Sequence, residues 1–289
     1  MTIATIDIGG TGIKFASLTP DGKILDKTST PTPETLEDLL AWLDQRLSEQ
    51  DYRGIAMSVP GAVNQKTGVI EGISAIPYIH GFSWYQVLAH HQLPVHLEND
   101  ANCVGLSELL AHPEIENAAC VVIGTGIGGA MIINGKIHRG RHGLGGEFGY
   151  MTTLAPTEKL NNWSQLASTG SMVRYVNEQS GQTDWDGRKV YQEAAAGNAL
   201  CQEAIERMNR NLAQGLLNIQ YLIDPDVISL GGSISQNPDF IKGVQKAVDA
   251  FVERYEEYTI APVIQACTYR ADANLYGALV NWLQEENQW

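Results

Sequence analysis

The sequence predicts a two-lobed α/β fold with a central cleft. Three observations carry this reading. Short β-rich runs at 3–8, 13–18 and 23–28 are separated by turn residues. The same pattern of strands, glycine turn and helix starts again near residue 118, with little sequence in common. Amphipathic helical stretches lie between the strand groups, as layered α/β packing requires. A chain of 289 residues is long for one average domain, which also favours two lobes. We expect a small lobe from residues 1–115, completed by a C-terminal helix within 271–289, and a large lobe from 116–270.

The first three strands, with Gly9-Gly10-Thr11-Gly12 and Pro20-Asp21-Gly22 between them, read as an antiparallel meander. A helix follows. Thr32 is its expected cap, Pro33 fits its first turn, and Leu36, Leu39, Leu40, Leu43 and Leu47 form one apolar stripe. A buried strand at 55–59 ends on Pro60-Gly61, and another at 95–98 leads into a helix over 101–111. The second strand group covers Ala118–Ile123, 130–133 and 136–139, with Asn134-Gly135 as a type I′ hairpin signal. A long helix spans Ala199–Ile223, with Ile205, Met208, Leu212, Leu216, Ile219 and Leu222 facing inward and Pro225 stopping it. A strand at 227–230 ends on Gly231-Gly232, and a last helix is expected over 271–284. The least regular stretch is 152–170.

Composition excludes several classes. A net charge of −14 argues against general binding to nucleic acid or an anionic membrane. No apolar run approaches the roughly 20 residues of a membrane span. The start of the chain reads as a strand of the fold and not as a secretory signal. Cys103, Cys120, Cys201 and Cys267 are scattered, which supports neither a zinc ribbon nor a disulfide framework. Cytoplasmic location is the default expectation.

Three strands end on glycine turns: Asp7-Ile8-Gly9-Gly10-Thr11-Gly12, Ile123-Gly124-Thr125-Gly126-Ile127-Gly128-Gly129 and Ser229-Leu230-Gly231-Gly232-Ser233. Glycine permits positive φ and close approach to a ligand, and clustered N–H groups beside a threonine hydroxyl suit phosphate oxygens. One such turn alone is more often just a tight turn; three in one chain are harder to dismiss. Residues 124–129 match GxGxxG, but a strand and hairpin follow where a dinucleotide fingerprint needs a helix. No Walker A loop is present. Asp7, closing an apolar strand, reads either as a satisfied core aspartate or as a carboxylate facing Mg²⁺ through water; the glycines beside it favour the second.

Glu98-Asn99-Asp100 lies where a strand passes into a helix. Asp100 can take a proton from a substrate hydroxyl that attacks a phosphoryl group, or cap the helix; Asn99 can orient the same substrate. Glu147, alone among glycines in Gly146-Glu147-Phe148-Gly149-Tyr150, can bind a pair of hydroxyls or be a solvated loop residue. His138 and His142 stand four apart on a glycine-rich stretch that is no helix, which does not support zinc.

In this order the motifs resemble the ROK family, named for repressors, open reading frames and kinases, over nearly the whole chain. Asp7-Ile8-Gly9-Gly10-Thr11-Gly12-Ile13-Lys14 is similar to its first phosphate motif and 123–129 to its second. Ser58-Val59-Pro60-Gly61-Ala62-Val63 resembles a segment lining the sugar pocket, Glu98-Asn99-Asp100-Ala101-Asn102 the catalytic stretch, Gly146-Glu147-Phe148-Gly149 the sugar signature, and Gly231-Gly232 the adenosine-side turn. The resemblance implies an actin-like ATPase (ribonuclease H-like) fold and a glucokinase-like transfer from ATP to a hexose, at its 6-hydroxyl. By the same resemblance Asp100 is the general base. Asp7, Gly9, Gly10, Thr11, Gly12, Lys14, Gly124, Thr125, Gly126, Gly128, Gly231 and Gly232 hold the nucleotide, and Asp7 faces its Mg²⁺. Gly61, Ala62, Asn99, Asp100, Glu147 and Tyr150 hold the sugar, and the assembly is a homodimer.

The chain departs from the family pattern in two places. Tyr150 stands where many members have a histidine, and the CxCGxxGCxE zinc motif is missing, so structural zinc is not expected. The region 160–168 then orders by packing around Trp163, and the family's second sugar-binding glutamate falls near Ser164. Tyr150 can offer its hydroxyl or ring face instead. Tyr78, His80 and Trp84 are weaker candidates for the pocket. Two rivals are a DNA-binding regulator of the same family, for which the motif at Asp7 leaves no winged-helix segment, and a non-catalytic sugar-binding protein.

Overall fold

The computed structural model describes residues 2–153 and 161–289. The chain divides into two compact units: residues 1–114, 136–145 and 271–289 form the first, and residues 115–135 and 146–270 the second. The expected large lobe, 116–270, included 136–145; that segment clusters with the first unit.

The first unit opens with β1 (Thr2–Ile8), β2 (Gly12–Leu18) and β3 (Ile24–Pro31), the antiparallel meander expected from the turn residues. α1 (Leu36–Leu47) buries Leu39, Leu43 and Leu47. Its cap is Thr35, whose hydroxyl accepts from Asp38 N at 3.2 Å, and not Thr32. Thr32 instead donates to the Gly9 carbonyl at 2.5 Å and so ties the first glycine turn to the end of the meander. Both threonines can cap, and the sequence does not say which one meets the helix axis.

β4 (Tyr52–Val59) pairs parallel with β1, and the short hairpin β5 (Ala62–Asn64) and β6 (Val69–Glu71) follows it. α2 (Trp84–Val87) is a single turn, and β7 (Val95–Asn99) pairs parallel with β4 before α3 (Asp100–Ala111). The sheet order is therefore β3-β2-β1-β4-β7. One face is filled by Ile6, Ile8, Phe15, Leu39, Leu43, Met57 and Trp84. The other is filled by Ile3, Leu18, Cys103, Leu279 and Trp282. A sheet buried on both faces explains why β1 reads as a nearly continuous apolar run.

The second unit repeats the scheme. β8 (Ala118–Ile123) pairs antiparallel with β9 (Ile127–Ile133), which turns at Asn134-Gly135 with φ of 52° and 67°, as that pair of residues predicts. β10 (Lys136–Ile137), in the segment that clusters with the first unit, is shorter than the expected 136–139. β11 (Thr152–Thr153) and β12 (Asn161–Asn162) pair with each other. α4 (Trp163–Ala167), α5 (Thr169–Ser180) and α6 (Gly187–Ala195) precede the long α7 (Ala199–Ile223). So the stretch read as irregular is helical from 163 onward, apart from the cap at Ser168. Residue 160 of the region expected to pack around Trp163 lies outside the described residues.

Trp163 itself is fully buried, and its indole N–H donates to the Asn211 carbonyl at 2.8 Å. Gly215 on α7 leaves room for it, since a Cβ there would fall 2.1 Å from the ring. α7 buries Met208, Leu212, Leu216 and Ile219 as expected; Leu222 is 76% exposed and not part of the stripe. The helix ends on Asp224 in the left-handed conformation, one residue before Pro225. β13 (Val227–Gly231) runs parallel to β8 and to β14 (Ile264–Ala266), with α8 (Pro238–Arg254) between them. The chain closes with α9 (Ala273–Glu285) in the first unit, packed against α3 through Gly277, where a Cβ would meet the Cys103 carbonyl at 1.8 Å.

Candidate active site

In the first unit the parallel strands β1, β4 and β7 lie side by side, and the carboxyl ends of such strands are where open α/β sheets present their ligands. Asp7, Ser58 and Glu98 occupy matching positions on β1, β4 and β7. The Asp7 side chain is 9% exposed; its Oδ2 accepts from Lys14 Nζ at 3.0 Å and its Oδ1 from Asn274 Nδ2 at 2.8 Å. Lys14 Nζ also donates to the Ala271 carbonyl at 2.6 Å. Burial of this aspartate is offset by two charged or polar partners, and each of its oxygens keeps a lone pair for a water or a ligand.

The first glycine turn is held by Gly9 N donating to the Gly12 carbonyl at 3.1 Å. Gly10 and Thr11 are exposed. Positive φ was expected of these glycines, but neither Gly9, Gly10 nor Gly12 adopts it. Their surroundings are tight instead: a Cβ on Gly9 would approach the Gly12 carbonyl to 3.0 Å, and one on Gly10 would approach the Ala75 Cβ to 3.1 Å. At Gly61 both reasons apply, because φ is +108° and a Cβ would meet Ile70 and the Glu71 carbonyl at 2.9 and 3.0 Å.

Asp100 is the first residue of α3, directly after β7. The helix cap is Asn99, whose Oδ1 accepts from Asn102 N at 3.1 Å, and not Asp100. Asn99 Nδ2 donates to the Gly61 carbonyl at 3.1 Å, so its amide is engaged within the unit and ties the start of α3 to the Gly61-Ala62 turn. Asp100 Oδ1 accepts from Ala101 N at 2.8 Å. Burial pushes the Asp100 carboxyl above the usual carboxylate range; the neighbouring Asp7 charge adds to the rise, and the Ala101 N–H works against it. A half-buried carboxylate raised in this way is a better proton acceptor than a free one.

Beneath it lies a network that sequence reasoning missed. Glu98 is buried and accepts from Arg139 Nε at 2.6 Å, from Asn99 N at 2.7 Å and from Asn102 Nδ2 at 2.9 Å. Arg139 reaches on to Asn281 Oδ1 at 2.8 Å and to Glu285 at 3.2 Å. The only hint in the sequence was an arginine flanked by glycine in a strongly acidic chain. Ala62, Asn64, Lys66, Glu71, Arg139 and His142 are among the residues lining a pocket of about 520 Å³ in this unit.

The secondary candidates divide. Trp84 is fully buried, with its indole N–H on the Ile79 carbonyl, and belongs to the core. The Tyr78 hydroxyl donates to the Pro33 carbonyl. His80 Nε2 pairs with Ser74 Oγ at 2.7 Å.

In the second unit the turn Gly124-Thr125-Gly126 is exposed and closed by Gly124 N donating to the Gly126 carbonyl at 2.9 Å. It sits on the start of α5: Gly170 N donates to the Gly124 carbonyl, Ser168 Oγ to the Thr125 carbonyl, and a Cβ on Gly170 would lie 2.3 Å from Thr125 O. Gly128 lies within β9, which confirms that no helix follows the GxGxxG match. Ser164 Oγ accepts from Ile127 N at 2.8 Å, so this side chain braces the turn. A Cβ on Gly149 would meet the same Ile127 carbonyl at 2.0 Å, which places the Glu147–Tyr150 stretch beside the turn. Tyr150 is 73% exposed. Gly231 ends β13, and Gly232, at φ +90°, would clash with the Ile123 carbonyl at 2.1 Å if it carried a Cβ.

Each unit is thus a layered α/β body whose strands end on glycine turns, the class of protein that the two folds and their turns define. The chain matches the ROK family over residues 3–285 and belongs to it. It is 35% identical to a beta-glucoside kinase of Listeria monocytogenes, over all of this chain and 99% of that one. Among solved structures it is 88% identical, with a TM-score of 0.98 and full coverage of both chains, to a ROK family protein from Streptococcus pneumoniae in complex with sucrose. It is 26% identical, with a TM-score of 0.86 over 99% of this chain and all of the other, to a ROK hexokinase from Thermus thermophilus. The fold is that of the actin-like ATPase sugar kinases, as the motif order implied.

Proposed function

We propose that this chain is an ATP-dependent sugar kinase that phosphorylates a hexose or hexose derivative at its 6-hydroxyl, with glycosides as the favoured substrates. The observation that carries the reading is the Asp100 carboxyl, half-buried at the end of β7 and held above its ordinary range beside Asp7. In this reading Asp100 takes the proton from the sugar hydroxyl while that oxygen attacks the γ-phosphoryl group of ATP. Gly61, Ala62, Asn99, Glu147 and Tyr150 position the sugar, and positioning supplies most of the rate. Gly9, Gly10, Thr11, Gly12 and Lys14, and likewise Gly124, Thr125, Gly126 and Gly128, hold phosphate oxygens, and Gly231 and Gly232 border the adenosine.

Mg²⁺ would supply charge neutralisation on the phosphates. Asp7 fits it through water, because each carboxylate oxygen already accepts one hydrogen bond from the chain. Glycosides are favoured by the 35% identity to a beta-glucoside kinase, and the pocket lined by Ala62, Lys66, Glu71 and Arg139 has room for a second sugar ring. The same reading has the protein acting in the cytoplasm as a homodimer. A second reading, sugar binding without catalysis, draws on the sucrose complex of the 88% identical protein.

A coupled ADP-release assay across glucose, fructose, N-acetylmannosamine and β-glucosides separates the two. The kinase reading expects sugar-dependent ADP release with at least one of them. Sugar binding by calorimetry with no ADP release across the panel supports the second reading and removes the first.

A further inference from the structure

We propose that Asp44, His90 and His91 form a binding site for a divalent transition-metal ion, with Zn²⁺ as the occupant that best fits the donors. The site shares no residue with the proposed catalytic machinery.

Asp44 lies on α1, and the two histidines lie on a 3-10 turn 46 and 47 residues further along. Their metal-binding atoms lie within 4.8 Å of one another, a grouping of ligand type and number found in zinc sites with an open fourth position. His90 Nε2 is 3.0 Å and His91 Nε2 2.8 Å from the same oxygen, Asp44 Oδ1. Two imidazole nitrogens converge on one carboxylate oxygen.

The far side of His90 sets its tautomer. Its Nδ1 is 3.0 Å from the Val87 carbonyl, which only accepts, so Nδ1 carries the hydrogen. In the neutral ring Nε2 then presents a lone pair to the carboxylate, acceptor against acceptor. A metal ion takes that lone pair, and the same ion is within reach of the His91 nitrogen and the Asp44 carboxylate. The Nδ1 hydrogen bond to a backbone carbonyl is also the arrangement that orients metal-bound histidines.

The dimensions fit. A tetrahedral ion with bonds of about 2.0 Å has ligand atoms roughly 3.3 Å apart. The observed 2.8 and 3.0 Å contacts open to that by a few tenths of an ångström, through the half-exposed Asp44 and His90 side chains while the more buried His91 stays in place. Two imidazoles and one carboxylate suit zinc, nickel or copper, whereas Mg²⁺ and Ca²⁺ prefer oxygen donors throughout. The bound ion would link α1 to the turn before β7.

The test uses the full chain without a polyhistidine tag, stripped with a chelator and titrated with Zn²⁺ by calorimetry. One ion per chain binds saturably. His91→Ala and Asp44→Asn each weaken binding by at least about tenfold, while their circular dichroism and metal-free melting match the parent. Co²⁺ in the same site gives visible d–d absorption that either substitution removes. Asp44→Asn is nearly isosteric and keeps the test open if His91→Ala does not fold. Absence of saturable binding, or parental affinity in Asp44→Asn, overturns the proposal; in the second case the ion sits on other residues.

Discussion

Arg139 Nε lies 2.6 Å from Oε2 of Glu98, a carboxylate whose side chain is 2% exposed, 41 residues back in the chain. This pair forms the floor under the proposed catalytic stretch, because the same Glu98 receives Asn99 N and Asn102 Nδ2. Removing the arginine leaves a buried charge with neutral donors only.

Arg139→Leu is therefore expected to cost about 2–4 kcal/mol of stability, toward the lower side of what breaking a buried pair costs because Arg139 is partly exposed. Glu98→Gln keeps the shape and several hydrogen bonds and should cost less. Urea denaturation of both variants checks the order. Equal stability of Arg139→Leu and the parent would mean the pair is replaced by water at no cost.

Asp100 carries a sign that separates function from stability. Its folded-state affinity for a proton is raised, so the folded protein favours the protonated form. Its contribution is present at low pH and lost as pH rises through the folded value. At neutral pH the charged, half-buried carboxylate is a liability. Asp100→Asn should raise the melting temperature at pH 7, and the gain should shrink as pH falls through the raised folded value and be gone by roughly pH 4, the ordinary aspartate value. Thermal melts of both proteins from pH 4 to pH 8 read this directly. A melting temperature lowered by Asp100→Asn at pH 7 would contradict it.

Because the Asp7 charge adds to the raised Asp100 value, Asp7→Asn should move the acidic limb of the kcat/KM profile to lower pH. The substitution also removes the Lys14 partner, so kcat falls as well. A limb that stays in place would mean burial alone sets the Asp100 value.

Gly232→Ala tests the join between β8 and β13. The residue has φ +90°, and a Cβ would lie 2.1 Å from the Ile123 carbonyl, with backbone on both sides. Strain and clash together should cost at least about 2 kcal/mol. Gly72→Ala serves as the control: φ is +84°, and nothing lies within 4 Å of the added methyl. Its cost should be the smaller one in thermal denaturation.

What the sequence made legible was local. The glycine turns, the Asn134-Gly135 hairpin, the span of α7 and the position of Asp100 between strand and helix all follow from residues adjacent in the chain. What it hid was contact between distant residues. Arg139 meets Asn281 across 142 residues, and Asp7 meets Asn274 across 267, and no spacing rule announces either. Capping failed where two competent residues compete: Thr32 lost to Thr35, and Asp100 to Asn99, because the helix axis and not residue chemistry selects the cap. Leu222 continued an apolar period that the fold does not use. The glycines at 9, 10 and 12 do not adopt the positive φ that glycine permits, and their tight surroundings show only with the neighbours in place.

In the proposed reaction Asp100 takes a proton from a sugar hydroxyl during transfer from ATP. The most direct measurement is kcat for sugar-dependent ADP release by Asp100→Asn, alongside its melting curve and its affinity for the same sugar. The account predicts a fall of at least about 10²-fold with the fold intact and the sugar still bound. An Asp100→Asn protein that turns over at the parental rate would contradict it.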